Sequence, residues 1–180
     1  HPIPMGIDLE RNEAVHGLRS LEEAVGFEIE RGNAPPDTSV PVFLSVSATH
    51  TGLQELARDY LSGELAKAGK IRHLRTYSAS EMDVTELLDT VLLPAAEYYF
   101  PDRETEPLRE VFGVDGEYGR HYSFLKAFAA LWQVLIDQQV RATFKFDLDQ
   151  VFPQEALVSQ TGRSAFEHLS DPLWGSKGVD

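Results

Sequence analysis

The chain has 180 residues, 42% hydrophobic and 25% charged, with a formal net charge of -13. Its length is that of one domain with a buried core. The negative charge would repel nucleic-acid phosphates, so we expect no nucleic-acid partner. Cysteine is absent, which excludes disulfide frameworks and thiolate zinc sites and fits a cytoplasmic location. No apolar run reaches the roughly 20 residues of a transmembrane segment.

Residues 1–39 are expected to form a helical lead-in followed by a linker. Apolar residues recur at helical spacing from Ala14 to Ile29, and the pattern is interrupted by Gly17 and Gly26. Residues 32–37 include two consecutive prolines, which remove backbone donors and predict a loop.

The next part of the chain has the pattern of a β-α-β unit. Residues 40–46 are almost continuously apolar, which predicts a strand covered on both faces. Residues 51–54 have the spacing of a capping box, and residues 53–68 continue with helical spacing. Gly69 is expected to end this helix, and residues 71–77 form a weaker second strand.

Two further helices and one further strand are expected before residue 147. A helix is predicted over 83–99, bent or ended near Pro94. After a loop, residues 123–137 are apolar almost all round, which indicates a buried helix. Residues 140–146 alternate with period two, which predicts a strand leading directly into Asp147.

The order of these elements predicts an α/β fold with a mainly parallel sheet flanked by helices. We expect one α/β domain over residues 40–160 and a C-terminal segment over 161–180. Ligands of such sheets lie at the carboxyl ends of the strands. Those ends are residues 45–50, 77–80 and 147–149, which are expected to line one crevice.

Asp147 and Asp149 are the candidate metal ligands. Side chains two apart in an extended segment point the same way, so both carboxylates would face one cation. Mg²⁺ and Mn²⁺ accept carboxylate oxygens, and Mg²⁺ commonly takes one or two carboxylates together with substrate phosphates. Such an ion would screen the charge that builds on a departing nucleoside diphosphate. Asp-x-Asp is nevertheless a common triplet, and a solvated turn after a strand is its ordinary structural interpretation.

The sequence around this triplet resembles GT-A glycosyltransferases of the family 2 kind. Residues 144–157 contain an apolar segment that ends in Asp-x-Asp, a proline shortly after it, and a leucine opening the next helix. Upstream, Gly119-Arg120-His121 precedes the apolar helix that carries Lys126, and Asp137 comes just before the motif strand. The resemblance covers about residues 40–160, and only the neighbourhood of Asp-x-Asp is specific.

The resemblance implies a Rossmann-like, nucleotide-binding half that takes a UDP- or GDP-sugar donor and an unknown acceptor. Asp147 would contact the ribose or the metal, and Asp149 would coordinate Mn²⁺ or Mg²⁺. The implied donor-binding residues are Ser45, Ser47, Thr49, Ser78, Arg120, Lys126 and Asp147. Each has an ordinary alternative; Lys126, for example, could extend from a buried helix to the surface without binding anything.

The chain departs from that family in two ways. The first strand ends in residues 47–50, Ser-Ala-Thr-His, where the family has a proline or small residue followed by an aromatic residue and asparagine. The family's acceptor half and catalytic carboxylate follow the Asp-x-Asp segment, whereas only residues 150–180 follow it here. We therefore expect a fragment or a truncated module, and we assign no catalytic base.

Two other functions are open at this point. Residues 146–152 also resemble the first motif of haloacid-dehalogenase-type phosphatases, in which Asp147 would be the phosphorylated nucleophile and Asp149 the general acid. In that family the motif lies near the start of the core domain, whereas here it lies near the end. The other alternative is a catalytically silent nucleotide-binding module.

Overall fold

The computed structural model describes residues 6–46, 48, 52–105, 107–109, 138–139, 143–144 and 146–170. The chain divides into two compact units. Unit 1 comprises residues 1–40, 64–75 and 146–180, and unit 2 comprises residues 41–63 and 76–145.

Helix α1, Glu13–Glu30, is the longest described element and belongs to unit 1. The side chain of Asn12 begins it by accepting hydrogen bonds from the backbone N–H groups of Ala14 and Val15. One face of the helix is buried, and its residues recur at helical spacing. The buried residues are Ala14, Val15, Gly17, Leu18, Leu21, Ala24, Val25 and Glu28. The helix predicted from Ala14 to Ile29 is confirmed.

Polar side chains of α1 hold the neighbouring segment of unit 1, residues 64–75. The guanidinium of Arg19 donates to the carbonyl of Ala68, at 2.7 Å from Nη2 and 3.3 Å from Nε. The carboxylate of Glu22 accepts from the backbone N–H groups of Arg72 and His73. Charged side chains therefore satisfy backbone groups at the end of one element and before the start of the next.

The predicted β-α-β unit is present. Strand β1 spans Val40–Ser45, helix α2 spans Gln54–Lys67, and strand β2 spans Leu74–Ala79. Gly69 follows α2 with a φ of +96°, a backbone conformation that glycine adopts without a Cβ penalty. The two strands form a two-stranded sheet.

The strands of this sheet run in the same direction. The N–H of Val40 donates to the carbonyl of His73, and the N–H of Val46 donates to the carbonyl of Ala79. Residue numbers therefore increase in the same direction along the two paired strands, so the sheet is parallel. Pro41 lies between ladder donors, so its missing N–H would point away from β2 and costs no bond to that strand.

The helix expected over residues 83–99 is divided by a wider turn. Helix α3, Glu81–Leu87, runs into a π turn over Leu88–Leu92, and helix α4 continues over Leu93–Tyr99. Pro94 lies in the first turn of α4. A proline ring clashes with the carbonyl four residues earlier and lacks an N–H to bond it, and a π turn before the proline relieves that conflict.

Two short helices end the described part of unit 1. Helix α5 spans Gln154–Thr161 and ends at Gly162, whose φ is 77°. Helix α6 spans Ala165–Leu169 and begins with a capping box formed by Ser164 and Glu167. In that box the N–H of Glu167 donates to the Ser164 hydroxyl at 3.1 Å, and the N–H of Ser164 donates to the Glu167 carboxylate at 2.8 Å.

The described core of unit 2 is apolar. Its buried members are Ala79, Val84 and Leu88, and the half-buried side chains packed against them are Phe43, Leu92 and Leu108. At the start of α3, the carboxylate of Asp83 accepts from the backbone N–H of Ser80 at 2.7 Å. Arg58 on α2 lies 3.5 Å from the same carboxyl group and is partly exposed.

The fold is therefore mixed helix and strand, with a small two-stranded parallel sheet flanked by helices. The strand expected over residues 140–146 is wrong where the structure describes it, because Thr143, Phe144 and Phe146 are not in a strand. An alternating pattern shows which side chains share a face, but a strand also needs partner backbone groups. The helix expected over 123–137 lies outside the described residues. No helix in the described part of the chain could cross a membrane.

Candidate functional site

The Asp-Leu-Asp triplet lies on a tight turn in unit 1. The N–H of Gln150 donates to the carbonyl of Asp147 at 3.0 Å, and the N–H of Asp147 donates to the side-chain carbonyl of Gln150 at 3.1 Å. Asp147 and Asp149 are exposed, whereas Leu148 between them is half-buried. We call residues 147–150 the aspartate turn. It presents two carboxylic side chains to solvent on a backbone that is closed by two hydrogen bonds.

This geometry does not support the expected shared direction of the Asp147 and Asp149 side chains. Asp147 and Asp149 were expected to point the same way because they would end an extended strand. The aspartate turn is a turn, in which the alternation of side chains along a strand does not apply. Both residues are exposed, but their shared direction no longer follows from their spacing.

The backbone of the aspartate turn packs directly against helix α1 at Gly17. A Cβ placed on Gly17 would lie 2.5 Å from the carbonyl oxygen of Leu148 and 2.9 Å from its Cα. Both distances are shorter than real Cβ contacts, and the atoms are backbone atoms that cannot rotate away. The close approach therefore depends on Gly17 having no side chain.

The chain after the aspartate turn follows the same side of α1. The N–H of Phe152 donates to the hydroxyl of Ser20 at 3.2 Å. The side-chain amide of Gln154 donates to the carbonyl of Ala24 at 3.3 Å and to the carboxylate of Glu28 at 3.0 Å. The contacts on α1 are thus spaced by three or four residues, which places them along one helical stripe.

Aromatic side chains before and after the aspartate turn pack against each other. The rings of Phe146 and Phe152 meet edge to face, with centroids 5.5 Å apart. Phe152 also stacks on Phe166 of helix α6, with centroids 5.7 Å apart. Aromatic pairs at such separations add stabilisation beyond the area that they bury. The residues on either side of the aspartate turn are therefore joined to each other as well as to α1.

Ser45 and Ser78, two of the expected donor-binding residues, lie in unit 2. The register of the parallel sheet places Ser45 beside Ala79 and Ser78 beside Leu44. Adjacent residues of paired strands share a face, and successive residues alternate between faces. Ser45 and Ser78 therefore project from opposite faces, so a base or ribose lying flat on one face would meet only one of them.

The other expected donor-binding residues are not placed. Ser47, Thr49, Arg120 and Lys126 all lie outside the described residues. Asp147 is described, and it belongs to unit 1. The expectation that the three strand ends line one crevice thus stays a prediction.

The chemistry of the aspartate turn can be compared with the needs of a divalent cation. Carboxylate oxygens are suitable ligands for Mg²⁺ and Mn²⁺. Among residues that the structure describes, no three His, Asp or Glu side chains come together as a metal-binding group. The donor set therefore fits a cation that takes one or two carboxylates and completes its shell with phosphate and water oxygens, rather than one held by protein alone.

Three residues that hold the aspartate turn are not among those that the sequence pattern indicates, namely Gly17, Ser20 and Gln154. A glycine inside a helical pattern is a signal of close packing, because glycine costs a helix about 1 kcal/mol relative to alanine. Gly26 gives the same signal in the same helix, yet a Cβ there would have no neighbour within 4 Å. The pattern alone could not distinguish the two.

Comparison of the chain with protein-family models, curated proteins and solved structures finds no match.

Proposed function

We propose that the chain is the donor-binding part of a metal-dependent glycosyltransferase that takes a UDP- or GDP-sugar. Asp147 and Asp149 would hold Mn²⁺ or Mg²⁺ together with the donor's diphosphate. The observation that carries the proposal is the aspartate turn, where two exposed acidic residues lie on a backbone that packs closely against helix α1. The proposal includes a GT-A arrangement, supported by the parallel β-α-β unit, and a cytoplasmic location, supported by the lack of cysteine.

The negative charge of the chain explains why a cation would be needed to bind the donor. A nucleoside diphosphate is anionic and the chain has a net charge of -13, so direct binding is opposed by repulsion. A bound divalent cation would offset that repulsion and supply Lewis-acid stabilisation of the leaving diphosphate. Asp147 and Asp149 would orient the ion through their carboxylate oxygens. The hydrogen bonds within the aspartate turn would hold the backbone between them in one conformation.

This division of ligands predicts that cation and nucleotide bind together. Two carboxylates leave most of the coordination shell to other oxygens, which the diphosphate and water would supply. We therefore expect weak binding of Mn²⁺ alone, weak binding of UDP or GDP alone, and tight binding of the two in combination.

Thermal unfolding tests the proposal directly. A ligand that binds only the native state at about 100 times its Kd adds about 2.7 kcal/mol of stability. For a chain of this size, that corresponds to a rise in Tm of about 5–10 °C. We expect this rise with Mn²⁺ plus UDP or GDP, and its loss on adding EDTA. No shift with either nucleotide in the presence of Mn²⁺ or Mg²⁺ would refute the proposal.

Paired variants identify the ligands. Asp149→Asn and Asp147→Asn keep the size of the side chain but remove its charge, so both should abolish the Mn²⁺-dependent rise in Tm. Asp37→Asn removes a charge from an exposed loop residue of the same unit and serves as the matched control. If all three variants keep the rise, the cation binds elsewhere.

A further inference from the structure

The contact between Gly17 and Leu148 has a consequence for the aspartate turn. Leu148 is the residue between the two aspartates, and its backbone lies where a side chain on Gly17 would have to be. A Cβ at 2.5 Å from the Leu148 carbonyl oxygen cannot be accommodated by rotating a side chain. Either the aspartate turn or helix α1 must move when any other residue replaces Gly17.

The movement would fall on the aspartate turn rather than on the helix. Helix α1 is fixed by its buried face and by the bonds of Arg19 and Glu22 to residues 68–73. The aspartate turn is exposed at Asp147, Asp149 and Gln150. A short exposed segment shifts at lower cost than a helix with a buried face.

The next hydrogen bond shows how far such a shift would extend. Phe152 is tied to the hydroxyl of Ser20, one helical turn after Gly17. Lifting Leu148 from α1 strains this bond, whereas the bonds of Gln154 to Ala24 and Glu28 lie further along the helix. We expect the change to be confined to residues 147–152.

We propose that Gly17 is a positioning residue for the cation site, because its missing side chain lets helix α1 fix the backbone that joins Asp147 to Asp149. This inference rests on the proposed function, since it assigns Gly17 a role at the same site. Residues that orient metal ligands typically affect affinity by about 10- to 100-fold. Gly17 would act in this way without touching the ion or the nucleotide.

Titration calorimetry with UDP in the presence of Mn²⁺ tests the inference. We expect Gly17→Ala to bind UDP at least about 10-fold more weakly than the wild type. Gly26→Ala is the matched control, because it adds the same methyl group to the same helix at a position with no neighbour within 4 Å. It should bind as the wild type does. Equal affinity of Gly17→Ala and the wild type would overturn the inference and leave the proposed function intact.

Amide hydrogen exchange distinguishes a local loss of packing between the aspartate turn and α1 from a general loss of stability. The N–H of Gln150 is bonded to the Asp147 carbonyl within the aspartate turn, and the N–H of Phe152 is bonded to the Ser20 hydroxyl on α1. The N–H of Leu157 is bonded to the Pro153 carbonyl at the start of α5. Gly17→Ala should speed exchange at Gln150 and Phe152 by a larger factor than at Leu157. Faster exchange by the same factor at all three amides would mean that the substitution only lowers general stability, and it would overturn the positioning role.

Ser20→Ala provides a second variant in case Gly17→Ala does not fold. It removes the acceptor of the partly buried hydrogen bond from the Phe152 N–H. The loss of one hydrogen bond corresponds to about a 2- to 10-fold loss of affinity. We expect weaker UDP binding with Mn²⁺ and faster exchange at Phe152. Unchanged affinity in Ser20→Ala would overturn the inference. If the wild type itself binds no nucleotide, the proposed function is refuted. Unchanged exchange at Gln150 in the variants would separately refute the role of Gly17 in fixing the aspartate turn on α1.

Discussion

Residues 147–154 of unit 1 and the described apolar core of unit 2 are stabilised by different kinds of contact. In unit 1, residues 147–154 contact α1 through hydrogen bonds of Ser20 and Gln154 and through the close approach of the Leu148 backbone to Gly17. In unit 2, the contacts around Ala79, Val84 and Leu88 are between apolar side chains. Hydrogen bonds have narrow distances and angles, whereas apolar contacts depend mainly on buried area.

The comparison indicates which unit defines positions more strictly. An apolar core accepts many substitutions of similar volume with small losses of stability. A contact that needs a particular donor, acceptor or missing side chain does not tolerate replacement. The proposed cation site lies in the region with the more specific contacts, residues 147–154, and the following variants test whether that difference is real.

Leu18→Ala should have the largest effect on stability. Leu18 is 0% exposed on the buried face of α1. Removing a buried leucine side chain typically lowers the free energy of unfolding by about 2–5 kcal/mol. Leu56 on α2 is 51% exposed and serves as the control. Leu56→Ala should change the free energy of unfolding by less than about 0.5 kcal/mol. Urea denaturation measures both. A small loss for Leu18→Ala would mean that α1 is not the core of unit 1.

Gln154→Ala tests the polar contacts of unit 1. The Gln154 amide donates to Ala24 and Glu28, and its oxygen accepts from the N–H of Ala165 at 2.7 Å. The side chain is buried, so its loss leaves partners without bonds. We expect the free energy of unfolding to fall by about 2–3 kcal/mol.

The control for this variant lies on the same helix. Gln160 on α5 is exposed, and Gln160→Ala should change stability by less than about 0.5 kcal/mol. Similar small effects for both glutamine variants in urea denaturation would remove the distinction between residues 147–154 and the apolar core of unit 2, because the polar contacts would then contribute little.

Gly17→Ala and Gly26→Ala should change stability in opposite directions. Alanine favours a helix over glycine by about 1 kcal/mol, and Gly26→Ala should gain most of this because it meets no neighbour. At Gly17 the same gain is opposed by overpacking, which typically costs about 1–3 kcal/mol. We expect a net loss of up to about 2 kcal/mol for Gly17→Ala by urea denaturation. A gain at both positions would contradict the close approach of Leu148.

Local patterns were sufficient for most of the described fold. Helices α1 and α2, both strands and the capping box before α6 all follow from spacing and end signals within about 20 residues of one another. The π turn before Pro94 was anticipated only as a bend, because the sequence shows where a helix is disturbed but not how the backbone adapts.

The surroundings of the aspartate turn could not be predicted in the same way. Phe152 and Ser20 are separated by 132 residues in the chain, and nothing in either segment encodes the other. Asp-x-Asp after an alternating segment has the same local appearance whether it ends a strand or forms a turn. Only the partner backbone, present in the first case and absent in the second, distinguishes them.

The smallest expected effect concerns the capping box of α6 and its dependence on pH. The backbone N–H of Ser164 lowers the pKa of the Glu167 carboxyl below its ordinary value, assisted by the Ser164 hydroxyl and by the charges of Arg31 and Arg163, while burial acts in the opposite direction. A pKa that is lower in the folded state than in the unfolded state means that the ionised carboxylate stabilises the fold. That contribution is present above the unfolded pKa and is lost as the pH falls through the folded pKa.

Glu167→Gln should therefore be less stable than the wild type near neutral pH, with a difference in Tm that shrinks on acidification to about pH 3. Glutamine keeps the shape and bonding of a capping box, so the comparison isolates the charge. The carboxylate is partly exposed beside Arg31 at 3.1 Å, so high salt should reduce the difference at neutral pH through screening. A difference in Tm that is independent of pH would mean that the box acts through its hydrogen bonds alone. In that case hydrogen-bond geometry, and not charge, would define the start of α6, as it defines the aspartate turn.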